Sequence, residues 1–171
     1  MVKVWLLLIV LFELVPIGDL GQNDLDYFRT AFYQIETEKE FEEYLTKEIE
    51  VEEEFNRNTI MAYKGACQSM MARFVVSPFT KMKHFNEGKS LLEGSIAHEH
   101  NVDNVYLRLL VQLNAPGMLG YDEDIDSDLI FLQEHVKKSN LSLEVKEKMM
   151  DKLMSSKNAN DYMEALKKIG V

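Results

Sequence analysis

The stretch Phe55-Asn-Arg-Asn-Thr-Ile-Met-Ala-Tyr-Lys-Gly-Ala-Cys-Gln-Ser-Met-Met-Ala-Arg-Phe-Val75 decides the fold class. Ile60, Tyr63, Cys67, Met70/Met71 and Phe74 recur at spacings of three and four, which aligns them along one side of an α-helix. Beside them runs a second stripe of small residues, Ala62, Gly65/Ala66, Ser69 and Ala72. A glycine in a helix interior costs up to about 1 kcal/mol relative to alanine. Gly65 therefore marks a place where another helix approaches too closely for a side chain, and Gly65→Leu is expected to destabilise the protein. Ser77-Pro78 ends this helix, because proline lacks an amide proton and disfavours the helical conformation in the residue before it.

The same spacing extends in both directions, and sustained two-residue alternation is absent, so the fold class is all-α with about seven helices. Upstream, Leu25, Phe28, Phe32 and Ile35 share one face, with Asn23 or Asp24 as the expected cap. Thr37-Glu-Lys-Glu40 has capping-box spacing ahead of Phe41, Tyr44 and Leu45. The acidic run 48–54 reads as a solvated face or as the first turn of the central helix. Downstream, a helix over 80–99 has Phe85, Leu91/Leu92 and Ile96 as its core face and Gly88, Gly94, Ser95 and Ala97 as small contact points. The helix over 102–113 is apolar on almost every side, which puts it in the middle of the protein. Ala115-Pro116-Gly117 stops it, and an irregular loop is expected to Asp126. Three further stretches follow: 128–139 with Leu129, Leu132 and Val136, 142–154 with Val145, Met149 and Leu153, and 161–169 with Tyr162, Leu166 and Ile169, closed by Gly170. Short connections imply antiparallel neighbours.

A chain of 171 residues, 46% of them hydrophobic, buries one proper core. Its 29 acidic and 19 basic residues give a net charge of −10, a sign that repels phosphate backbones, so nucleic acid is not an expected partner. Lys137-Lys138 and Lys167-Lys168 are isolated pairs near helix ends, where they complement the helix dipole. Cys67 is the only cysteine, which excludes an internal disulfide and a thiol pair for metal. On the apolar stripe it is expected to act as a small hydrophobe.

Residues 1–21 have the order of a secretory signal peptide, Lys3 followed by a mostly apolar run from Val4 to Val15. As a helix that run reaches about 18 Å, short of a hydrocarbon core of about 30 Å. Glu13 interrupts it, and the expected cut at Gly21-Gln22 has Asp19 in place of a small residue. Residues 22–171 are then a single helical domain of an exported protein, periplasmic or secreted, still strongly acidic and with no stable membrane span after leader removal.

The segment Phe85-x-x-Gly88-x-x-x-Leu92-x-x-Ser95-Ile96, followed by His100-Asn101, has the small, bulky, small order of the second helix of a tetratricopeptide repeat. From Ala62 to Val136 the chain resembles such repeats. Gly88 and Ser95 stand where alanine is usual, His100 stands where proline is usual, and no first-helix motif precedes them. Ala62-Tyr-Lys-Gly-Ala66, Phe85-Asn-Glu-Gly-Lys89, Tyr106-Leu-Arg-Leu-Leu110 and Leu119-Gly-Tyr121 are also similar to a group of small exported proteins of gram-negative bacteria without assigned function. The resemblance implies a tetratricopeptide-like stack of helix pairs, or else an irregular bundle, acting as a scaffold for protein contacts. It carries over no catalytic residue.

His98-Glu99-His100 holds zinc-ligand side chains, but residues two apart on a helix diverge by about 200° and the i, i+4 spacing is missing. Asp122-Glu-Asp-Ile-Asp-Ser-Asp128 alternates carboxylates like a calcium loop, yet Ser127 stands where glycine is required and Gln133 where a bidentate glutamate is required. Arg108, on the apolar helix, must find a carboxylate, carbonyls or an exit to solvent. Met149, Met150 and Met154 are the candidates for an adaptable partner groove. No nucleophile elbow and no phosphate-binding glycine loop occur. The expectation is therefore a non-enzymatic exported scaffold for a protein partner, with no catalytic residue, cofactor or metal ligand assigned. The alternative is a small-ligand- or metal-binding helical protein, with or without catalysis, using Arg108 or the His98/His100 region.

Overall fold

In the computed structural model, which describes residues 20–51 and 53–170, α3 (Glu54–Met70) and α4 (Pro78–His98) form the most extensive helix–helix contact. A Cβ on Gly65 would lie 2.9 Å from the Gly88 carbonyl oxygen and 2.9 Å from the Leu91 Cβ, and one on Gly88 would overlap the Gly65 carbonyl and both Oγ and N of Ser69. The two helices thus cross backbone to backbone at paired glycines, as Gly65 alone suggested. The small-residue reading of α4 holds for Gly88 and Ser95 but not for Gly94 and Ala97, which are exposed. A Cβ on Gly94 meets nothing within 4 Å.

The other helices are α1 (Leu20–Phe32), α2 (Glu38–Thr46), α5 (Val102–Asn114), α6 (Ile125–His135), α7 (Leu143–Met154) and α8 (Met163–Ile169), with 3-10 turns at Met71–Arg73, Gly117–Leu119 and Ala159–Tyr162. Among the described residues there are eight helices and no strand; each corresponds to one of the stretches read from the sequence, against a count there of about seven. Side-chain caps set four of the starts. Thr37 and Glu40 complete their capping box on α2, Ser77 accepts from the Thr80 amide ahead of Pro78 at the start of α4, Asn101 from Asn104 on α5, and Ser142 from Val145 on α7.

Helix α5 is the centre of the packing, with every residue from Asp103 to Leu113 buried. It touches α3, α4, α6 and α7. α1 and α2 cover α3 from the other side, and α8 packs on α6 and α7. Phe28, Phe41, Ile60, Tyr63, Leu92, Leu107, Leu132 and Leu153 are almost fully buried in one continuous core. Cys67 lies in that core, its sulfur 3.9 Å from the Phe41 carbonyl, and burial pushes its thiol above the ordinary value.

Some boundaries differ from the sequence reading. The signal peptide expected over residues 1–21 lies outside the described residues as far as residue 19, and α1 already includes Leu20 and Gly21. Asn23 and Asp24 therefore lie within α1 and do not cap it; the Asp24 carboxylate instead accepts the Glu50 amide at 3.1 Å. Ile35 packs on the core from the loop after α1. Helix α6 begins at Ile125 rather than at residue 128, because Ile125 is itself buried and draws the helix start toward the core. Its N-cap residue, Asp124, makes no side-chain cap bond.

Candidate functional site

The C-terminal ends of α3, α5 and α7 and the first turns of α4 do not close on one another, and a cavity of about 610 Å³ lies between them. Phe32, Phe85, Leu110 and Val111 form its buried wall. Met70 and Leu119 are half-buried, and Met82 and Met118 are exposed at its edge. Pro78 and Pro116 both line it, so the two breaks that prolines impose on the helical series meet at this opening. Ser69 also lines it, but its hydroxyl is directed at Gly88 and not into the open space. The groove methionines are thus Met70, Met82 and Met118. Met149 and Met150, the groove candidates from sequence together with Met154, are buried in the core, and Met154 lies outside this lining.

The charge of this opening is opposite to that of the chain. Arg73, Lys81 and Lys152 line it, and no aspartate or glutamate does. Among the described residues none of the three forms an ion pair. Arg73 is held in place without being neutralised: its guanidinium lies 4.6 Å from the ring centroids of both Phe41 and Phe74 and donates to the Glu36 carbonyl at 3.3 Å.

The buried charges elsewhere are consumed by one another. Arg108 donates to both carboxylate oxygens of Asp128, at 2.9 and 2.6 Å, and lies 3.3 Å from Glu93 and from Asp124. Burial works against its charge, but Asp128, Asp124 and Glu93 outweigh that and hold the guanidinium above its ordinary value. Burial likewise raises the Asp128 carboxyl, with Arg108 opposing. This is the structural role expected for Arg108. Two carboxylates of the acidic loop, Asp124 and Asp128, are turned to Arg108, which is why Asp124 leaves the first amides of α6 uncapped.

A second network had no local signal in the sequence. Asp103 accepts from Arg29 Nε at 3.1 Å and Nη2 at 2.8 Å, and from the Tyr63 hydroxyl at 2.6 Å. Burial opposes the Arg29 charge, and the hydrogen bonds and field of Asp103 more than restore it. The Tyr33 and Tyr106 rings lie 6.4 Å apart beside this group, and burial raises both hydroxyls well above the ordinary range. Neither network lines the cavity.

His98 and His100 do not converge. His98 is exposed in the last turn of α4, and His100 sets its ring edge-on to Phe131 at 4.5 Å and bonds to no terminal carbonyl. Among the described residues no three histidine, cysteine, aspartate or glutamate side chains are grouped as a metal would need, and no helix is long and apolar enough to cross a membrane. No protein-family model, curated protein or solved structure matches the chain.

Proposed function

We propose that this chain is an exported, non-enzymatic binding protein that holds an apolar ligand in the cavity between α3, α4, α5 and α7. The observation that carries the reading is the cavity itself: about 610 Å³, in the range of roughly 300–1,000 Å³ occupied by small-molecule sites. Its wall is apolar, and the polar networks of Arg108 and Asp103 are closed on themselves and do not line it. This favours the ligand-binding alternative over the protein scaffold and moves the site from Arg108 to the helix ends. Filling the space tests it. Ala72→Trp and Met82→Trp, at half-buried and exposed lining positions, should each abolish uptake of a neutral apolar dye while the helical circular dichroism and melting temperature stay unchanged. Uptake undiminished in both variants removes the cavity from the function.

We read the eight helices as four stacked pairs of tetratricopeptide-like kind. What supports this is the order of neighbours, α1 on α3, α3 on α5 and α5 on α7, with α4 packed chiefly on α3 and α6 chiefly on α5. Export rests on the order of residues 1–21, and the N-terminal sequence of protein recovered from its own cells tests it. One observation favours a protein-contact role beside ligand binding. Val76, Phe79 and Met118 are 90% or more exposed, on or beside the two proline-marked breaks, and large apolar side chains so placed mark contact surfaces. A change in solution size on Val76→Ser/Phe79→Ser substitution would support it.

A further inference from the structure

We infer that the occupant of this cavity is a single-chain aliphatic anion, its acidic headgroup held at the edge by Arg73, Lys81 and Lys152 and its hydrocarbon chain laid along the apolar wall. The inference rests on the ligand-binding reading above and adds the ligand's class. Four features converge on it. The first is sign. In a chain of charge −10 the lining carries three cations and no carboxylate. The carbonyl ends of α3, α5 and α7 also face this region, each equivalent to about −0.5 charge. Three full positive charges exceed that, so the edge is net positive.

The second is position. Arg73, Lys81 and Lys152 are all exposed, whereas Phe32, Phe85, Leu110 and Val111 are buried. Charge at the mouth and hydrocarbon within suits a ligand polar at one end only, whose headgroup stays in water while its chain is desolvated. The third is availability, since the three cations have no ion-pair partner among the described residues. The fourth is compliance. Met70, Met82 and Met118 are unbranched and repack around a flexible chain between the mouth and the wall that Phe32, Phe85, Leu110 and Val111 form.

The test compares ligands that differ only in the headgroup. The full chain is titrated with dodecanoate, dodecan-1-ol and dodecyltrimethylammonium, each by displacement of a neutral apolar dye, at low and high salt. The same is done for Lys81→Glu/Lys152→Glu, which leaves the aromatic seat of Arg73 intact. Dodecanoate should bind about tenfold more tightly than the alcohol, since each exposed charge contact contributes a few-fold. That margin should shrink with salt and vanish in the double variant, while alcohol binding stays unchanged. The trimethylammonium ligand should bind more weakly than the alcohol. Equal, salt-independent binding of all three overturns the inference and leaves the apolar cavity standing. Dye uptake without binding of any dodecyl ligand rules out an aliphatic chain, and failure of the dye as well removes the binding reading with it. Association with anionic phospholipid vesicles but not with dodecanoate would assign the cations to a membrane surface instead and likewise overturn it. If the double variant does not fold, the salt and headgroup dependence of the unaltered protein still decide.

Discussion

Gly88 and Gly94 lie on the same helix and differ in one respect, which makes alanine at each a matched experiment. At Gly94 an added Cβ meets nothing within 4 Å, so Gly94→Ala should stabilise by about 0.5–1 kcal/mol through helix propensity and a less disordered unfolded chain. At Gly88 the same methyl group would sit 2.5 Å from the backbone nitrogen of Ser69 and closer still to the Gly65 carbonyl. These are main-chain atoms of α3 and cannot rotate away. Restoring an ordinary carbon contact means parting α3 from α4 by about 1 Å, which forfeits a large part of the dispersion attraction across that interface. Overpacking of this kind costs about 1–3 kcal/mol. Because the obstruction is backbone, Gly88→Ala is expected at the upper end, about 2–3 kcal/mol destabilising even after its own propensity gain. The two variants then differ by about 3 kcal/mol, a separation in melting temperature of roughly 6–12 °C for a chain of this size. Thermal and urea unfolding followed by circular dichroism measure it. Equal shifts in the two variants, or a Gly88→Ala protein as stable as the parent, would refute the backbone-to-backbone crossing of α3 and α4.

The buried ion pair makes a second prediction: Arg108→Leu leaves Asp128, 1% exposed, without its counter-charge and should cost about 3–5 kcal/mol, while adding Asp128→Leu should recover much of the loss. Losses that simply add in urea titrations would mean the two residues do not act as a pair. Tyr63→Phe removes one hydrogen bond to the Asp103 carboxylate but leaves both Arg29 bonds, so a loss of about 1.5–3 kcal/mol is expected; a neutral substitution would remove Tyr63 from the network. Burial raises the hydroxyls of Tyr33, Tyr44, Tyr63, Tyr106 and Tyr121 above the ordinary value of 10.0. Unfolded tyrosines give up their protons near that pH while these keep theirs, so their contribution to stability is complete below pH 10.0 and declines as the pH rises beyond it. Phenolate absorbance should therefore appear together with cooperative unfolding; reversible ionisation of these five near pH 10 in the folded protein would speak against their burial.

Much of the fold is legible in the sequence because a helix is a local object. The three-and-four spacing of Ile60, Tyr63, Cys67 and Met70, the capping box of Thr37 and Glu40 and the break at Ser77-Pro78 all operate within a turn or two. Gly65 even announced a close helix crossing, since a glycine in a helix interior is costly without one. It could not name Gly88 as the other half, because Gly94 carries the same residue on the same helix and faces open space. Arg108 on an apolar helix demanded a partner, and its chemistry required a carboxylate or an exit, but Asp128 became that partner only when α6 docked on α5.

The cavity was the least legible part. Its lining comes from α1, α3, α4, α5 and α7 and from the loops beside Pro78 and Pro116, segments that no periodicity links. The available signal was Met118 and Leu119, apolar residues placed inside the break after Pro116, where a loop would ordinarily be polar. The sequence by itself determined an acidic all-helical chain with a central apolar helix, because those properties follow from composition and from interactions between near neighbours. Only the tertiary structure decided that Arg29 meets Asp103 and that three lysine and arginine side chains line one apolar opening. Those pairings join residues far apart in the chain, and they depend on how rigid helices pack, which local spacing does not encode.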